Sequence, residues 1–257
     1  MSRPDPSRAD LAPPPVAADV GIVMAMPIEA GSLLDSLGRV RRYSARARTI
    51  VEGEVAGKVV VVTVAGVGKA AARRGAELLA AGHRPRTIIS AGFAGALDPA
   101  LARDALVLPH EVSDGQDGPI EPDHGFPIPS GIEHRRGRLL TVERVVTRSA
   151  EKAALREQHG ADLIDMETSA VAGFARERAI RFIALRIISD TADEELPQEI
   201  AGLLAQSGSY RVGHALRAIW QRPSAVKDFW SLHARALASA DRLARGLIRI
   251  IEALPES

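Results

Sequence analysis

The sequence predicts an α/β fold: a single domain with a mostly parallel central sheet flanked by helices, and a C-terminal helical extension. Strand-like and helix-like segments alternate along the chain, and the turns between them carry Gly, Ser and Asp residues. The run 182–188 is almost entirely apolar, as is typical of a strand buried on both faces of a parallel sheet. With 257 residues, of which 46% are hydrophobic, the chain is long enough for one large core.

Hydrophobic periodicity and turn residues divide the chain into elements. A helix opens at Met166 and Glu167, where apolar residues begin to recur at helical spacing, and residues 109–138 are predicted to be an irregular excursion. The other predicted strands cover residues 20–24, 58–64, 87–90, 105–108 and 139–146. The other predicted helices cover residues 29–37, 68–81 and 150–159.

The ends of the chain differ from its middle. Residues 1–18 are rich in Pro, Ala, Asp and Arg, and they are predicted to be a disordered tail that is neither a secretory signal nor a membrane span. Residues 19–196 are expected to form the α/β domain. Residues 197–257 are predicted to be a helical extension that packs on the same domain.

Composition excludes several classes of function. A formal net charge of +1 gives no reason to expect nucleic acid or an anionic membrane as partner. The absence of cysteine excludes disulfides, thiolate nucleophiles and Cys-based metal sites, and it is consistent with a cytoplasmic location. His110, His124 and His134 are widely spaced in the irregular excursion, so neither a metal site nor a cofactor is predicted.

Three carboxylates stand at the end of a predicted strand or in the first turn of a predicted helix. Asp190 follows the apolar run 182–188, and Glu167 lies in the first turn of a helix, near the positive end of its dipole. In open α/β sheets ligands bind outside the carboxyl ends of the strands, so these two side chains are expected to face one pocket. Glu29 follows the first strand, and taken alone it is interpreted more simply as a Glu that compensates a helix dipole.

Two glycine-rich turns also follow predicted strands. Gly66 and Gly68 belong to a G-x-G-x-x-A motif between a strand and a helix, which is the context of a dinucleotide-binding site. The acid that such a site needs at the end of the next strand is missing, so the turn is expected to serve tight packing or to line a pocket. The second turn contains Phe93, Ala94 and Gly95, and its small residues would let a flat ligand approach the backbone.

Five motifs occur in one order along the chain: A-M-P-I-E at 25–29, G-V-G-K-A at 66–70, S-A-G-F-A-G at 90–95, D-M-E at 165–167 and R-I-I-S-D-T-A-D at 186–193. In this order the sequence resembles the nucleoside phosphorylase/nucleosidase superfamily over residues 19–195. It looks most like the methylthioadenosine/S-adenosylhomocysteine nucleosidase branch. The last two motifs are the specific part of the resemblance.

The resemblance implies that the protein cleaves the N-glycosidic bond of a purine (adenine) nucleoside with a modified 5′ group. Asp190 would donate a proton or a hydrogen bond to purine N7, so that the base leaves neutral. Glu29 would position and deprotonate the attacking water. Glu167 would hold the ribose hydroxyls, and Met166 would pack on the sugar. Acid and carboxylate would then act where charge develops in an oxocarbenium-like transition state.

The resemblance also implies a base pocket and a set of supporting residues. Phe93 stands where the family has a small polar residue, and Val145 or Val146 where it usually has an aromatic one, which puts methylthioadenosine itself in doubt as substrate. Ser189 would orient Asp190. The implied base-pocket residues are Ser189, Phe93, Ala94, Gly95, Val145 and Val146. The implied supporting residues are Arg186, which would fix the Asp190 carboxylate or the site loop, Gly66 and Gly68.

More than sixty residues follow Asp193, and the segments E-E-L-P and R-P-S-A-V-K-D-F-W within them resemble the hopanoid-biosynthesis-associated branch. That branch is thought to remove adenine from a lipid-linked adenosine. Trp220, Phe229 and Trp230 would then line a cleft for an apolar 5′ group, or they belong to the core or to a dimer interface. A nucleoside substrate and a homodimer are the partners that the resemblance implies.

Two alternatives stay open. Phosphorolysis would need paired cations for a phosphate dianion, whereas the first loop carries Glu29 and the turn at 90–97 has no Arg. Arg41, Arg42 or Arg46 would have to be brought in by folding or by a neighbouring subunit. A nucleoside-binding regulatory module without catalysis is the other alternative. The presence of Glu29, Glu167 and Asp190 together speaks against it, because binding alone does not need all three.

Overall fold

The computed structural model describes residues 17–45, 48–126, 133–196 and 223–255, with the backbone alone described for 223–233. Nine strands and five helices alternate within these ranges. The strands are β1 Val20–Met24, β2 Gly38–Ala45, β3 Arg48–Val55, β4 Lys58–Val64, β5 Thr87–Ala96, β6 Leu106–Ser113, β7 His134–Thr141, β8 Leu163–Asp165 and β9 Arg181–Asp190. The helices are α1 Pro27–Asp35, α2 Lys69–His83, α3 Ser149–His159, α4 Thr168–Glu177 and α5 Pro223–Ala253.

The strands form one sheet in the order β2-β3-β4-β1-β5-β8-β7-β6-β9, with an additional pairing between β5 and β9. Because β5 pairs with both β8 and β9, the strands β5, β8, β7, β6 and β9 close into a ring of pairings. Of the nine pairings among the described residues, five are parallel: β1–β4, β1–β5, β5–β9, β6–β7 and β7–β8. The α/β fold class and its mostly parallel sheet are thus confirmed.

Helices cover both faces of the sheet. Apolar residues of α2 and α4, such as Leu79 and Phe174, are buried in one cluster with one face. Apolar residues of α1 and α5, such as Leu33 and Leu247, are buried with the other face. The predicted helical extension is present as α5, whose Leu243, Leu247 and Ile251 are fully buried in that second cluster. No helix in the described part of the chain is long and apolar enough to cross a membrane.

Several predicted elements differ from the structure. The excursion predicted at 109–138 is shorter, since β6 continues to Ser113 and β7 begins at His134. The strand predicted at 139–146 is β7, which begins and ends five residues nearer the N-terminus; Val142 and Val145 line a cavity and do not extend the sheet. Strands β2, β3 and β8 were not predicted. The predicted tail at 1–18, apart from Ala17 and Ala18, lies outside the described residues, as does the whole of 197–222.

The topology places the predicted site residues together. Strands β1, β4, β5 and β9 run parallel to one another, so their carboxyl ends lie at the same edge of the sheet. Antiparallel β8 pairs with the last residues of β5, Gly95 and Ala96, so this three-residue strand also lies at that edge. The loops after these strands surround a single crevice, as expected for an open α/β sheet.

Candidate active site

A cavity of about 310 Å³ lies at this edge of the sheet. Apolar walls are supplied by residues such as Ile28, Val142, Ile164 and Leu196. The predicted site residues that line the cavity are Glu29, Phe93, Ala94, Gly95, Val145, Val146, Met166, Glu167, Ser189 and Asp190. The other three predicted site residues, Arg186, Gly66 and Gly68, do not line it.

Glu29 is held rigidly by backbone donors. Helix α1 begins at Pro27, and Glu29 occupies the third position of its first turn. Its Oε2 accepts hydrogen bonds from the N–H groups of Ala25 (2.9 Å) and Met26 (2.8 Å), and its Oε1 accepts one from Phe93 N–H (2.9 Å). Burial raises the pKa of the Glu29 carboxyl, although the three backbone donors and the charge of Arg186 oppose the shift. Glu29 is therefore a fixed carboxylate at the cavity wall that can accept a proton.

Glu167 is fixed by the first glycine turn. It is the N-cap residue of α4, and its Oε1 accepts a hydrogen bond from Gly68 N–H at 2.7 Å. Gly68 has a φ of 97°, a conformation that residues with a Cβ rarely adopt, so a glycine is required to aim this donor. Burial, together with the nearby charge of Asp165, raises the pKa of Glu167 to about 7. The turn predicted to serve packing or to line a pocket thus positions a carboxylate.

Arg186 forms a buried network with Asp165. Its Nε and Nη2 donate to Asp165 Oδ2 at 3.1 and 2.7 Å, and Nη2 also donates to Ser90 Oγ (2.8 Å) and Thr168 Oγ1 (2.6 Å). Thr141 Oγ1 donates to Asp165 Oδ1 at 2.8 Å, so the ion pair is well satisfied despite its burial. The family resemblance implies that Arg186 fixes the Asp190 carboxylate or the site loop, whereas in the structure its guanidinium hydrogen-bonds to Asp165.

Gly92 allows Glu29 and Arg186 to approach each other. A Cβ at this position would lie 2.7 Å from Glu29 Oε1 and 2.9 Å from Arg186 Nη1. Any side chain would displace one of these two charged groups. The second glycine turn therefore leaves room for charged side chains as well as for a ligand. We call the group Glu29, Asp165, Glu167 and Arg186 the glutamate side of the cavity.

Asp190 is paired with a lysine that the sequence analysis does not identify. Ser189 Oγ donates to Asp190 Oδ1 at 2.7 Å, which agrees with its expected orienting contact. Lys152 Nζ donates to Asp190 Oδ2, also at 2.7 Å. Its other two donors go to the carbonyl oxygens of Thr191 (2.6 Å) and Glu194 (2.9 Å). We call Asp190, Ser189 and Lys152 the aspartate side of the cavity.

The last described helix and a nearby loop complete the wall. Helix α5 contributes Arg235, Ala236 and Ser239. Arg103 lines the cavity too, and it donates hydrogen bonds to the Ser189 carbonyl and to the Glu194 carboxylate. The C-terminal extension is thus part of the site. Of the aromatic residues expected there, Trp220 lies outside the described residues, and the side chains of Phe229 and Trp230 do as well.

Two of the three cations considered for phosphate binding lie away from the cavity. Arg41 and Arg42 belong to β2 and do not line the cavity, and Arg41 forms an ion pair with Glu52 at 3.1 Å. Arg46 falls outside the described residues. Within the described ranges, no group of three or more His, Cys, Asp or Glu side chains could hold a metal ion.

Comparisons with known proteins give the same fold. The 5′-methylthioadenosine/S-adenosylhomocysteine nucleosidase of Neisseria meningitidis, solved with methylthio-immucillin-A, is 18% identical, with a TM-score of 0.70 over 91% of this chain and 99% of that one. The Campylobacter jejuni nucleosidase of the same kind is 18% identical, with a TM-score of 0.72 over 93% of this chain and 100% of that one. Helicobacter pylori futalosine hydrolase is 16% identical, with a TM-score of 0.70 over 91% and 97%. Residues 19–219 match the phosphorylase superfamily, and the chain therefore belongs to that superfamily.

Proposed function

We propose that this protein hydrolyses the N-glycosidic bond of an adenine nucleoside that carries a modified 5′ group. The observation that supports this most strongly is the unequal distribution of charge across the cavity. Breaking the bond leaves positive charge on the sugar and negative charge on the base. The glutamate side of the cavity suits the positive sugar, and the aspartate side suits the negative base.

The glutamate side favours a cationic sugar. It holds three carboxylates, and Arg186 is the one cationic side chain hydrogen-bonded to any of them among the described residues. Since Arg186 is committed to Asp165, the charges of Glu29 and Glu167 are not balanced by a bonded partner. Burial and the nearby charge of Asp165 raise the pKa of Glu167 to about 7, and an oxocarbenium-like sugar beside it would favour the ionised form.

The roles of the side chains follow from this assignment. Glu167 accepts hydrogen bonds from the ribose hydroxyls, with Met166 packed on the sugar beside it. Glu29 orients a water molecule and takes its proton as the water attacks the sugar. Asp190, oriented by Ser189, delivers a proton or hydrogen bond to N7, so that adenine leaves without a full negative charge. Each proton transfer contributes on the order of 100- to 10,000-fold in rate.

The base lies against the last residues of β5 in this proposal. Phe93, Ala94 and Gly95 of this strand line the cavity, as do Val145 and Val146. A Cβ at Gly95 would lie 3.0 Å from Asp190 Oδ2, so the glycine leaves the approach to this carboxylate open. The small and apolar lining suits a flat purine ring whose polar edge meets Asp190.

The 5′ substituent would extend toward α5. Ala236 and Leu196 offer apolar contacts there, while Arg235 lies at the same wall. The C-terminal resemblance motivates a lipid-linked adenosine, as expected of a hopanoid-associated enzyme. Comparing turnover of adenosine, 5′-methylthioadenosine and adenosine with a long 5′-alkyl chain would test this part of the proposal; a preference for the alkyl chain would support it, and equal rates would contradict it.

Product analysis tests the reaction itself. Purified protein is incubated with 5′-methylthioadenosine and with the alkyl adenosine, each with and without inorganic phosphate, and the sugar product is identified by mass spectrometry. Hydrolysis predicts the free sugar at a rate that phosphate does not change. A sugar 1-phosphate would establish phosphorolysis, and the absence of adenine release from every substrate would favour a nucleoside-binding module.

A further inference from the structure

Lys152 is a charged side chain in a position where a charge is costly. It is 0% exposed and is the one residue of α3 that is buried. Its three ammonium donors are all used, on Asp190 Oδ2, the Thr191 carbonyl and the Glu194 carbonyl. A buried ammonium is stable only when it is paired and hydrogen-bonded in this way. The question is what the pair contributes besides its own stability.

The location of the pair connects it to the reacting base. The Asp190 oxygen that Lys152 contacts is Oδ2, the same oxygen that lies 3.0 Å from the Cβ position of Gly95 at the cavity wall. Asp190 itself is 6% exposed and lines the cavity. Any group that meets Asp190 from the cavity thus meets a carboxylate with an ammonium 2.7 Å behind it.

We propose that Lys152 is a positioning residue for departure of the base, and this proposal rests on the proposed function. When Asp190 gives its proton to N7, its carboxyl group becomes an anion beside the departing base, and without a cation nearby this developing charge would oppose the transfer. The ammonium group of Lys152 offsets the charge of Asp190 and holds its Oδ2 at the cavity wall. The aspartate side can then stabilise a departing base, since preorganised charge acts where charge develops.

A change of leaving group separates this role from a purely structural one. Adenosine and 4-nitrophenyl β-D-ribofuranoside share one sugar, but 4-nitrophenolate carries negative charge stably and needs little help to depart. We expect K152M to lower kcat for adenosine by about 100-fold and kcat for the aryl riboside by less than about 5-fold. KM should change less than kcat. A loss of equal size on both substrates would overturn the proposal.

A double-mutant cycle with D190N supplies the second readout. If Lys152 acts through Asp190, K152M/D190N should be within about 3-fold of D190N alone, because the amide has no charge to offset. A further loss of about 100-fold would assign Lys152 a different, structural role. The double variant replaces the ion pair by two neutral side chains, so it stays informative if K152M alone leaves a buried charge and fails to fold.

A matched control comes from the same helix. Arg156 of α3 forms ion pairs with Asp98 (3.2 Å) and Asp162 (3.3 Å) and makes no contact with Asp190. R156M should leave the ratio of the two substrates unchanged, and a ratio shifted as in K152M would contradict the proposal. If the wild-type protein cleaves neither riboside nor a 5′-modified adenosine, the proposed function itself fails. If the wild type does cleave these substrates but K152M lowers both rates equally, only the proposal for Lys152 fails.

Discussion

The two sides of the cavity handle buried charge differently. On the aspartate side one carboxylate meets one ammonium, and the donors of Lys152 are all used. On the glutamate side three carboxylates share one guanidinium, which is bonded to Asp165 alone of the three. Glu29 and Asp190 are similarly buried, at 2% and 6% exposed. These two carboxylates therefore differ in pairing and not in burial, and both line the same cavity of about 310 Å³.

Side chains and backbone donors alone thus give this edge of the sheet an uneven distribution of charge. The described residues include no group that could hold a metal ion there. Backbone donors hold Glu29 and Glu167 in place while leaving them without a bonded cation. A charged side chain from a separate helix balances Asp190. In a reaction that separates positive from negative charge, this polarity favours one direction of electron flow. The predictions below test each side of the contrast.

The largest effect is expected on the aspartate side. D190N keeps the size of the side chain but removes its acid and its charge, so turnover of an adenine nucleoside should fall by about 100- to 10,000-fold. Circular dichroism and binding of adenine should change little. D117N, at an exposed position away from the cavity, is the control and should keep wild-type turnover. Near wild-type kcat in D190N would remove Asp190 from the mechanism.

Glu29 separates hydrolysis from phosphorolysis. If water is the nucleophile, E29Q should lose about 100-fold or more in kcat, and added phosphate should not restore it. In a phosphorylase the nucleophile arrives as an anion that Glu29 would repel, so the same change would be mild or would improve phosphate use. Rates measured with and without phosphate decide between the two. Preserved, phosphate-dependent turnover would exclude the hydrolase assignment.

Replacing Glu167 should weaken binding of the sugar, with a smaller effect than the losses of kcat expected for D190N and E29Q. A carboxylate accepts hydrogen bonds from hydroxyl groups more strongly than an amide does, by about 1 kcal/mol or more, so E167Q should raise KM for ribosides by roughly tenfold. A 2′-deoxy substrate should be poor for the wild type and less affected by the substitution. Equal kcat/KM values for ribo and deoxyribo substrates of the wild type would show that Glu167 does not hold the sugar.

The pH dependence of the free energy of unfolding should show that ionised Glu167 is unfavourable in the folded protein. The pKa of Glu167 is raised from 4.5 to about 7 in the folded protein, so its contribution to stability is fully present below pH 4.5 and is lost as the pH rises through about 7. Between pH 5 and pH 8, the free energy of unfolding of the wild type should fall by on the order of 1–3 kcal/mol more than that of E167Q. Denaturant unfolding at the two pH values measures this. E157Q, an exposed position on α3, should show no such change, and a pH-independent difference for E167Q would contradict the account.

Much of the site is predictable from the sequence because it lies where strands end. Asp190 and Glu29 each follow a recognisable apolar strand, and parallel strands bring their carboxyl ends together. The roles of the two glycine turns are harder to predict. That Gly68 donates to Glu167, ninety-nine residues later in the chain, follows from the packing of α2 beside α4 and not from the motif.

Hydrophobic periodicity cannot predict that Lys152 is buried against Asp190. Helix α3 is short and mostly polar, and a lysine in it normally indicates an exposed face. Its burial depends on the loop after β9 folding back to present the Thr191 and Glu194 carbonyls. Strand β2 was missed for a related reason: it reads G-R-V-R-R-Y-S-A, with five of its eight residues exposed and none buried, so it has little apolar signal.

The central claim is that the glutamate side is built for a cationic sugar. The most direct test compares two inhibitors of one shape: an adenine nucleoside analogue whose sugar ring carries a protonated nitrogen, and the same analogue with a neutral carbon ring. The account predicts that the wild type binds the cationic analogue at least about 100-fold more tightly, and that E167Q and E29Q each lose most of this preference by isothermal titration calorimetry. Equal affinities of the wild type for the two analogues would contradict it.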